Sequence, residues 1–578
     1  MNSFANALQP LTPRPDTDKP VQRDATGGRK LLDRILNTPN LEQVVPRLQP
    51  DLLSGVIQKI GLEDCGELLA LATPEQLAQV FDLDLWRAAT PGQDEQFDAD
   101  RFSVWIEVLL EAGAEVAAQK LAGIDADLVA TGLAQHAFVY DRAAVTPYET
   151  LDGELVTFYA DAISVHDNGL TFDLGGYLLL AKRADSWEAI TEVLMALGTE
   201  HSEYFHQVMR RCVVLSNEGF EVDGLDDLLS KQDQAMFELE AGREGRREKQ
   251  GYVPPAQARA FLQMSRELRL ESDAKPPANP LVRAYFQAIQ EATTPDAHST
   301  TSTSIASELL AAGTDPSSPP AQEDSAEAVA AVFEVLRDAG IIAPPPRALL
   351  SGADTQSQRL GQIQTRLEFA LYQTPQAYQV RNEELAYLAN TLMAGCSIQS
   401  RPFTAQEASE AAVAICNLGL ENWPPHWLPA NTTALPFSFL VDHDLVSVFQ
   451  VGWRILHNEV GMYAAKQLIE VLDGMRCDER ELQRDLDALR IELTKHWRAG
   501  TPWRACETLD AIATLDLLAW FVLLALIDEC PRLHAGVGAS QNSGTLSVSA
   551  SDFEFISENS QIASVCKFMR SLSETLSH

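Results

Sequence analysis

The sequence of 578 residues predicts a mainly α fold with an N-terminal helical superhelix, a small α+β middle segment and a C-terminal helical domain. Helix-start signals such as Thr73-Pro74-Glu75-Gln76 are followed by apolar residues at helical spacing. Between residues 153 and 180 this spacing gives way to short extended runs. Hydrophobic residues make up 46% of the chain and charged residues 22%, so most of it can bury a core.

The N-terminal region divides into a tail and a helical region. Residues 1–28 are polar and rich in Pro, Asp and Thr, which predicts a disordered tail. Residues 29–145 contain an internal repeat at an offset of 24 residues, in which Pro50, Leu53, Val56 and Ile57 match Pro74, Leu77, Val80 and Phe81. Short helices that recur in this way stack into a superhelix. An ordinary helical bundle is the alternative.

The middle region, residues 146–292, is predicted to be α+β. A β-hairpin is expected near residues 154–180, with a turn at Asp167-Asn168-Gly169, because Asn and Gly tolerate positive φ. A helix that follows places its apolar residues on one face, namely Phe205, Val208, Met209 and Cys212.

Residues 293–328 are rich in Ser, Thr and Pro and are predicted to be a flexible linker that divides the chain into two halves. The C-terminal helical domain, residues 329–578, contains a capping box at Thr404 and a long helix from Asp442 to Leu472. The apolar run Leu517–Ile527 is shorter than the roughly 20 residues that a membrane span needs. It is therefore expected to be a buried helix, and no integral membrane segment is predicted.

The formal net charge of −38 makes nucleic acid and anionic membrane surfaces unlikely main partners. The eight cysteines are scattered without a CxxC pair, which favours a reducing cytoplasm. No Gly-rich nucleotide loop, GxSxG or HExxH motif is present in the sequence. The sequence therefore predicts no cofactor.

The one dense basic run consists of Arg243, Arg246, Arg247 and Lys249. These residues could contact an acidic protein partner, a phosphate or the acidic face of this chain, including its C-terminal half. The alternative is a solvated polar loop. Because the run is interpreted as a loop outside the core, charge reversal at its arginines is predicted to leave the fold intact.

Four weaker candidates contain histidine or tryptophan. Glu203 and His206 share a helix face and could be metal ligands, although they are half of the usual paired motif and His201 lies on another face. Ordinary helix residues are the alternative. Asp442-His443-Asp444 could be a general base or a helix N-terminus, and His457 a base or a core residue. Trp423–Trp427 could be a ligand rim or a packed crossover between helices, and the prolines of Trp423–Pro429 predict that this segment is extended.

Several segments of the sequence resemble a bacterial family of unknown function. They are Gly251–Phe261, Glu384–Asn390, Ala394–Cys396, Phe403–Ala408, Cys416–Leu420, Phe449–Trp453 and Phe555–Asn559. The resemblance covers most of the chain except the tail and the linker. It implies a bacterial, soluble, mainly helical protein and brings no known activity or catalytic residue. Separately, residues 35–140 are similar to the N-terminal helical superhelix of bacterial magnesium transporters, although the membrane spans of those transporters are missing here.

Two classes of function remain from the sequence. The first is a non-catalytic cytoplasmic scaffold, adaptor or regulator that binds a protein partner through helical surfaces, as the repeated helices and the long linker indicate. The second is an enzyme with an unrecognised active site at the junction of the two halves. A pocket with convergent ionisable groups would favour the enzyme.

Overall fold

The protein is seen here as a computed structural model. It describes residues 25–88, 93–145, 148–149, 155–156, 170–216, 231–249, 251–272, 280–293, 323–339, 341, 360–399, 401–428, 434–474, 480–499, 517–535, 537 and 553–576. The predicted tail up to residue 24, the turn at Asp167-Asn168-Gly169 and the linker from residue 294 to residue 322 lie outside the described residues. Helix α1 already begins at Ala25.

The described residues between 25 and 216, here called the N-terminal body, are mainly helical. The helices and strands are α1 (Ala25–Leu36), α2 (Leu41–Val44), α3 (Pro50–Ile60), α4 (Gly66–Leu71), α5 (Pro74–Asp84), β1 (Trp86–Ala88), β2 (Glu95–Phe97), α6 (Ala99–Glu111), α7 (Ala114–Ala122), α8 (Ala126–His136), β3 (Ala137–Asp141), α9 (Arg142–Val145), β4 (Tyr148–Glu149), β5 (Leu155–Val156), β6 (Thr171–Leu174), β7 (Tyr177–Ala181), α10 (Trp187–Glu200) and α11 (Ser202–Ser216). Most of these elements contribute side chains to one hydrophobic cluster.

The predicted repeat corresponds to α3 and α5, which pack against each other. Each helix has 11 residues and begins with proline in its first turn, where the missing N–H has no intrahelical partner to lose. The matching apolar residues of both helices are buried. The capping box predicted at Thr73 is confirmed, since Thr73 and Gln76 bond each other's backbone N–H groups.

Replacing Thr73 with alanine should lower the free energy of unfolding by about 1 kcal/mol, because the N–H of Gln76 loses its acceptor. Urea denaturation followed by circular dichroism measures the change. Thr365→Ala is the matched control, since the exposed hydroxyl of Thr365 bonds only the carbonyl of Gly361 within its own helix. An equal loss in both variants would contradict a capping role for Thr73.

The small β element of the middle region is a three-stranded antiparallel sheet in the order β3-β7-β6. Its hairpin turns at Gly175-Gly176, whose φ angles of 60° and 91° are in the left-handed region that favours glycine. Leu179 faces the core of the N-terminal body, whereas Leu178 and Leu180 face a separate small cluster, as alternation along a strand requires. The predicted mainly α fold with a small α+β part is therefore confirmed.

The bridging helix α12 (Lys231–Lys249) leads to the C-terminal body, which is formed by the described residues between 251 and 293 and between 360 and 576. Its helices and strands are α13 (Pro255–Arg266), α14 (Pro280–Thr293), α16 (Gly361–Gln373), α17 (Pro375–Gly395), α18 (Ala405–Glu421), α19 (Phe439–Asp442), α20 (Leu445–Ile455), α21 (Tyr463–Gly474), α22 (Arg480–Ala499), α23 (Leu517–Ile527), β8 (Arg532–His534), β9 (Phe553–Phe555) and α24 (Asn559–Leu576). Helix α15 (Glu323–Asp338) packs instead against the N-terminal body.

Helices α18 and α20 cross in contact at two glycines, one from each helix. A Cβ atom on Gly419 would lie 2.0 Å from the carbonyl oxygen of Val448, and one on Gly452 would lie 1.9 Å from that of Ile415. Real Cβ atoms do not approach backbone atoms this closely, so the crossing requires glycine at both positions. Both glycines belong to the segments, Cys416–Leu420 and Phe449–Trp453, on which the family resemblance rests.

Helix α20 continues into α21 through a π-helical segment, Leu456–Met462, so the predicted long helix is present from Leu445 to Gly474. The prediction that Trp423–Pro429 is extended throughout is wrong, because Pro425–Trp427 forms a 3₁₀ turn. Proline is tolerated in the first turn of such a helix. The buried helix α23 has the predicted bounds, and its side chains from Val522 to Leu526 include four that are fully buried.

The two hydrophobic clusters do not follow the predicted division at residues 293–328. Helices α13 and α14, which precede the predicted linker, contribute Phe261 and Val282 to the core of the C-terminal body. Helix α15 begins at Glu323, inside the predicted linker, and contributes Val332 and Leu336 to the core of the N-terminal body. The chain thus passes from one body to the other and back, a long-range arrangement that composition cannot reveal.

Among the described residues, no helix is both long enough and apolar enough to cross a membrane.

Candidate functional site

The basic run lies on α12 and not in a loop, so the predicted loop is wrong. Glycines at 242 and 245 and a run of charges lower the helix propensity of this segment. Contacts with both bodies compensate for this low helix propensity, since α12 packs against α8 and α11 of the N-terminal body and against α14 of the C-terminal body. Helix α12 therefore bridges the two bodies.

Arg243 is 3% exposed and lies between α12 and the hairpin β1-β2. Its Nε donates a hydrogen bond to the carbonyl oxygen of Asp82 at 2.6 Å, and its Nη2 pairs with Glu95 Oε2. The guanidinium carbon lies 4.8 Å from the ring centroid of Trp86. Burial and the nearby charge of Arg247 lower the pKa of Arg243. The carboxylate of Glu95 raises this pKa but does not reverse the shift.

The other two arginines complete an ionic network. Arg246 binds Asp82 through two hydrogen bonds of 2.7 Å each, a bidentate geometry that fits guanidinium to carboxylate. These bonds raise the pKa of Arg246. Arg247 donates to Glu95 Oε2 at 3.0 Å and lies 3.3 Å from the ring centroid of Tyr252. The side chain of Lys249 lies outside the described residues.

The contacts of the network are with acidic residues of this chain. Its carboxylates come from α5 and β2 of the N-terminal body and not from the C-terminal half, which was one of the predicted possibilities. Arg259 of α13 adds a further pair across the junction, 2.9 Å from Asp94. The carboxylates of Asp82, which is buried, and of Glu95, which is 24% exposed, already pair with the three arginines, so the network is a structural ionic contact. Binding of an external partner or anion by Arg243, Arg246, Arg247 and Lys249 stays a prediction.

Glu203 and His206 lie near the start of α11, but they do not converge with further ligands. Glu203 is exposed, and His206 Nδ1 lies 3.4 Å from the hydroxyl of Tyr177 with its ring against Phe205. No group of three or more His, Cys, Asp or Glu side chains in the described ranges has the geometry to hold a metal ion. Metal binding at Glu203 and His206 stays a prediction without geometric support.

The remaining candidates have structural contacts. Asp444 Oδ1 accepts from the N–H of Ser447 at 2.6 Å and so caps α20. His443 stacks on Phe439 with ring centroids 4.2 Å apart. Trp427 Nε1 donates to the carbonyl oxygen of Ser272 at 2.8 Å, as expected of a packed crossover. Each of these contacts agrees with the structural alternative for its residue.

A recess in the C-terminal body gathers ionisable groups that the sequence analysis did not combine. It lies between the π-helical segment, α22 and the end of α23, and it encloses about 350 Å³ out to the solvent, with interior room for about one water molecule. π-Helical turns are frequent at functional sites. The lining side chains with polar or ionisable groups are His457, His496, Trp497, Asp528 and Glu529.

Asp528 and Glu529 hold the loop that follows α17. Glu529 Oε2 accepts from the backbone N–H of Ser397 at 2.8 Å and from its hydroxyl at 2.7 Å. Asp528 Oδ2 accepts from the N–H of Gln399, also at 2.8 Å. Burial raises the pKa of Asp528 to about 7, although two backbone N–H groups oppose the shift. The sequence signal that could have located these groups is the acidic pair Asp528-Glu529 directly after the apolar run.

The raised pKa of Asp528 gives a pH dependence with a definite sign. Because the folded-state pKa is above the ordinary value of 3.8, the stability contributed by the neutral carboxyl is complete below about pH 4 and is lost as the pH rises to about 7. Urea denaturation from pH 4 to 8 should therefore show a shallower fall in unfolding free energy for Asp528→Asn than for the wild type. The pKa of Glu384 is also raised to about 7. Because Glu384 is present in both proteins, its contribution to the pH dependence cancels in the comparison. Parallel pH curves would contradict the assignment.

One family model matches part of the chain. Residues 22–219 match the model of a family of unknown function, DUF6178. The predicted resemblance to a family of unknown function is thus confirmed for this part of the chain, although the segments that suggested it lie further towards the C-terminus. No curated protein and no solved structure gives a significant match. The similarity to magnesium transporters stays a prediction.

Proposed function

We propose that the protein is a non-catalytic scaffold or adaptor of the bacterial cytoplasm that binds a protein partner through its helical surfaces. The observation that supports this proposal is the way in which the N-terminal body receives helices from distant parts of the chain. It binds α12 through charged pairs and α15 through apolar side chains. A surface that accepts helices by both means suits recognition of helical partners.

Two further features agree with this proposal. Six cysteines lie in the described ranges, five of them buried, and none of the six pairs with another in a disulfide, which fits a cytoplasmic protein. The charge of −38 makes nucleic acid an improbable partner.

Reciprocal affinity purification tests the scaffold. The tagged chain should retain one protein in constant ratio from cells of its source, and that protein, tagged in turn, should retain the chain. The two purified proteins should then form a complex in size-exclusion chromatography with light scattering. Failure of the reciprocal purification together with failure of reconstitution would contradict the proposal.

An enzyme is the second candidate, and the recess is the specific observation that favours it. A buried carboxyl with a pKa near neutrality beside two histidines has the properties of a general acid or base. The recess lies within the C-terminal body and not at the junction of the two bodies, where an active site was predicted from the sequence.

Incubation of the purified chain with a metabolite extract distinguishes the enzyme from the scaffold. Turnover of any compound by the wild type, but not by folded Asp528→Asn, would favour the enzyme. Asp473→Asn is the control, because Asp473 pairs with Arg490 on an exposed surface away from the recess. Equal behaviour of all three proteins would contradict an enzyme at this recess.

A further inference from the structure

Helix α15 is an isolated piece of chain on the N-terminal body. The helix before it, α14, and the helix after it, α16, both belong to the C-terminal body. Helix α15 itself packs against α1 and α2. It is joined to α14 by 29 residues (294–322), and on the other side 18 residues (342–359) separate Ile341, just after the end of α15, from Leu360, just before α16. The shorter connection spans up to about 60 Å when extended, so chain length does not force α15 to stay on this surface.

The contact of α15 is that of an amphipathic helix in a groove. Val332 and Leu336, four residues apart, are fully buried in the core of the N-terminal body. Four further apolar side chains pack partly against the same core, namely Phe333, Val335, Ala339 and Ile341. The opposite face is exposed at Ala331, Glu334 and Arg337.

Two features make the groove specific for such a helix. Gly55 of α3 leaves room for the side chain that follows α15, since a Cβ atom on Gly55 would lie 2.7 Å from Ile341 Cγ2. At the edge of the groove, Arg34 Nη2 pairs with Asp338 Oδ2 at 3.0 Å. Helix α15 has five acidic residues and one arginine, so the pair joins an arginine of α1 to an acidic helix.

The contact is also small enough to open. Of the side chains of α15 that the structure describes, from Ala331 to Asp338, two are fully buried. An isolated helix of 16 residues is marginal in water. Elements with few buried apolar contacts open at the low end of the local stability range. Because α15 is tethered to the same chain, its effective concentration at the groove is in the millimolar range. It therefore occupies the groove and can still be displaced by a competing helix.

We propose that the groove formed by α1, α2 and α3 is a docking site for an acidic amphipathic helix of a partner protein, and that α15 is its displaceable occupant in the same chain. The partner helix repeats the pattern of α15, with apolar residues at the positions of Val332, Leu336 and Ile341 and an acidic residue at that of Asp338. Displacement of α15 exposes the groove. This inference rests on the proposed adaptor function and names the partner class and its regulation.

A labelled peptide of residues 323–341 tests the proposal on the full-length chain. The variant Val332→Asp/Leu336→Asp, whose own α15 no longer docks, should bind the peptide at least tenfold more tightly than the wild type in fluorescence anisotropy. Ala331→Asp, at an exposed position of the same helix, should behave as the wild type. Adding Gly55→Leu to the double variant should abolish binding, because leucine fills the space of Ile341. A peptide with the same two aspartates should not bind.

Equal affinity of the wild type and the folded double variant would overturn the proposal. If the double variant fails to fold, hydrogen exchange on the wild type decides, since millimolar unlabelled peptide should reduce the protection of the amides of α15. Unchanged protection would overturn the proposal. Dimers of the wild type that the peptide dissociates would also overturn it, because the occupant would then be a second copy. The adaptor function is tested separately by reciprocal purification and can survive failure of this test.

Discussion

Replacing Gly419 with alanine should lower the free energy of unfolding of the C-terminal body by about 3 kcal/mol or more. The new Cβ would lie 2.0 Å from the carbonyl oxygen of Val448, and a backbone atom within a helix cannot turn aside as a side chain can. Helices α18 and α20 must therefore separate, and the side chains packed around the crossing lose contact. Gly452→Ala should have a similar effect, because it meets the carbonyl of Ile415 at 1.9 Å.

Gly245→Ala is the matched control for this prediction. Gly245 also lies within a helix, α12, but a Cβ atom there would meet nothing within 4 Å. Alanine at this position should stabilise the helix by about 0.5–1 kcal/mol through its higher propensity. Urea denaturation followed by circular dichroism measures all three variants. A loss below about 1 kcal/mol in Gly419→Ala would show that the helices can move apart at little cost, contrary to the expectation.

The features that the sequence predicted well have local causes. Each capping box, at Thr73 and at Thr404, depends on residues three positions apart, and the structure contains both boxes. Helix α23 has the predicted bounds, Leu517–Ile527, because an apolar run between two aspartates allows little else in a chain of this composition. Helical spacing likewise placed the buried face of α11, from Phe205 to Cys212.

The features that the sequence left undetermined depend on distant partners. Arg243 meets Glu95 from 148 positions away, and the same arginine would suit a solvated loop if no carboxylate were there. Glu529 is buried because Ser397, 132 positions away, brings its N–H to the carboxylate. The return of α15 to the N-terminal body follows from packing of Val332 and Leu336, which any amphipathic helix could provide. Local pattern therefore identifies the helices but not their neighbours.

Replacing Glu95 with alanine should lower the free energy of unfolding by about 3–5 kcal/mol. Its Oε2 pairs with both Arg243 and Arg247, whose side chains are only 4% and 9% exposed. Removal of one member of a buried charged set leaves the remaining charges without compensation in a poorly solvated site, and this penalty exceeds the value of the lost bonds. The same reasoning corrects the prediction about charge reversal, because glutamate at Arg243 or Arg247 would face a carboxylate and destabilise the fold.

Asp94→Ala is the control for Glu95→Ala, since it removes the neighbouring carboxylate from an exposed pair. Asp94 is 73% exposed and pairs with Arg259, so its loss should cost no more than about 1 kcal/mol. Glu95→Gln should fall between the two, because the amide oxygen still accepts a hydrogen bond while the charge is gone. Urea denaturation measures the stabilities. Small-angle scattering measures whether the two bodies move apart when the arginines of α12 lose the carboxylate of Glu95. Equal stabilities of Glu95→Ala and Asp94→Ala would show that the arginines of α12 do not depend on Glu95, and the bridging role of the ionic network would then be wrong.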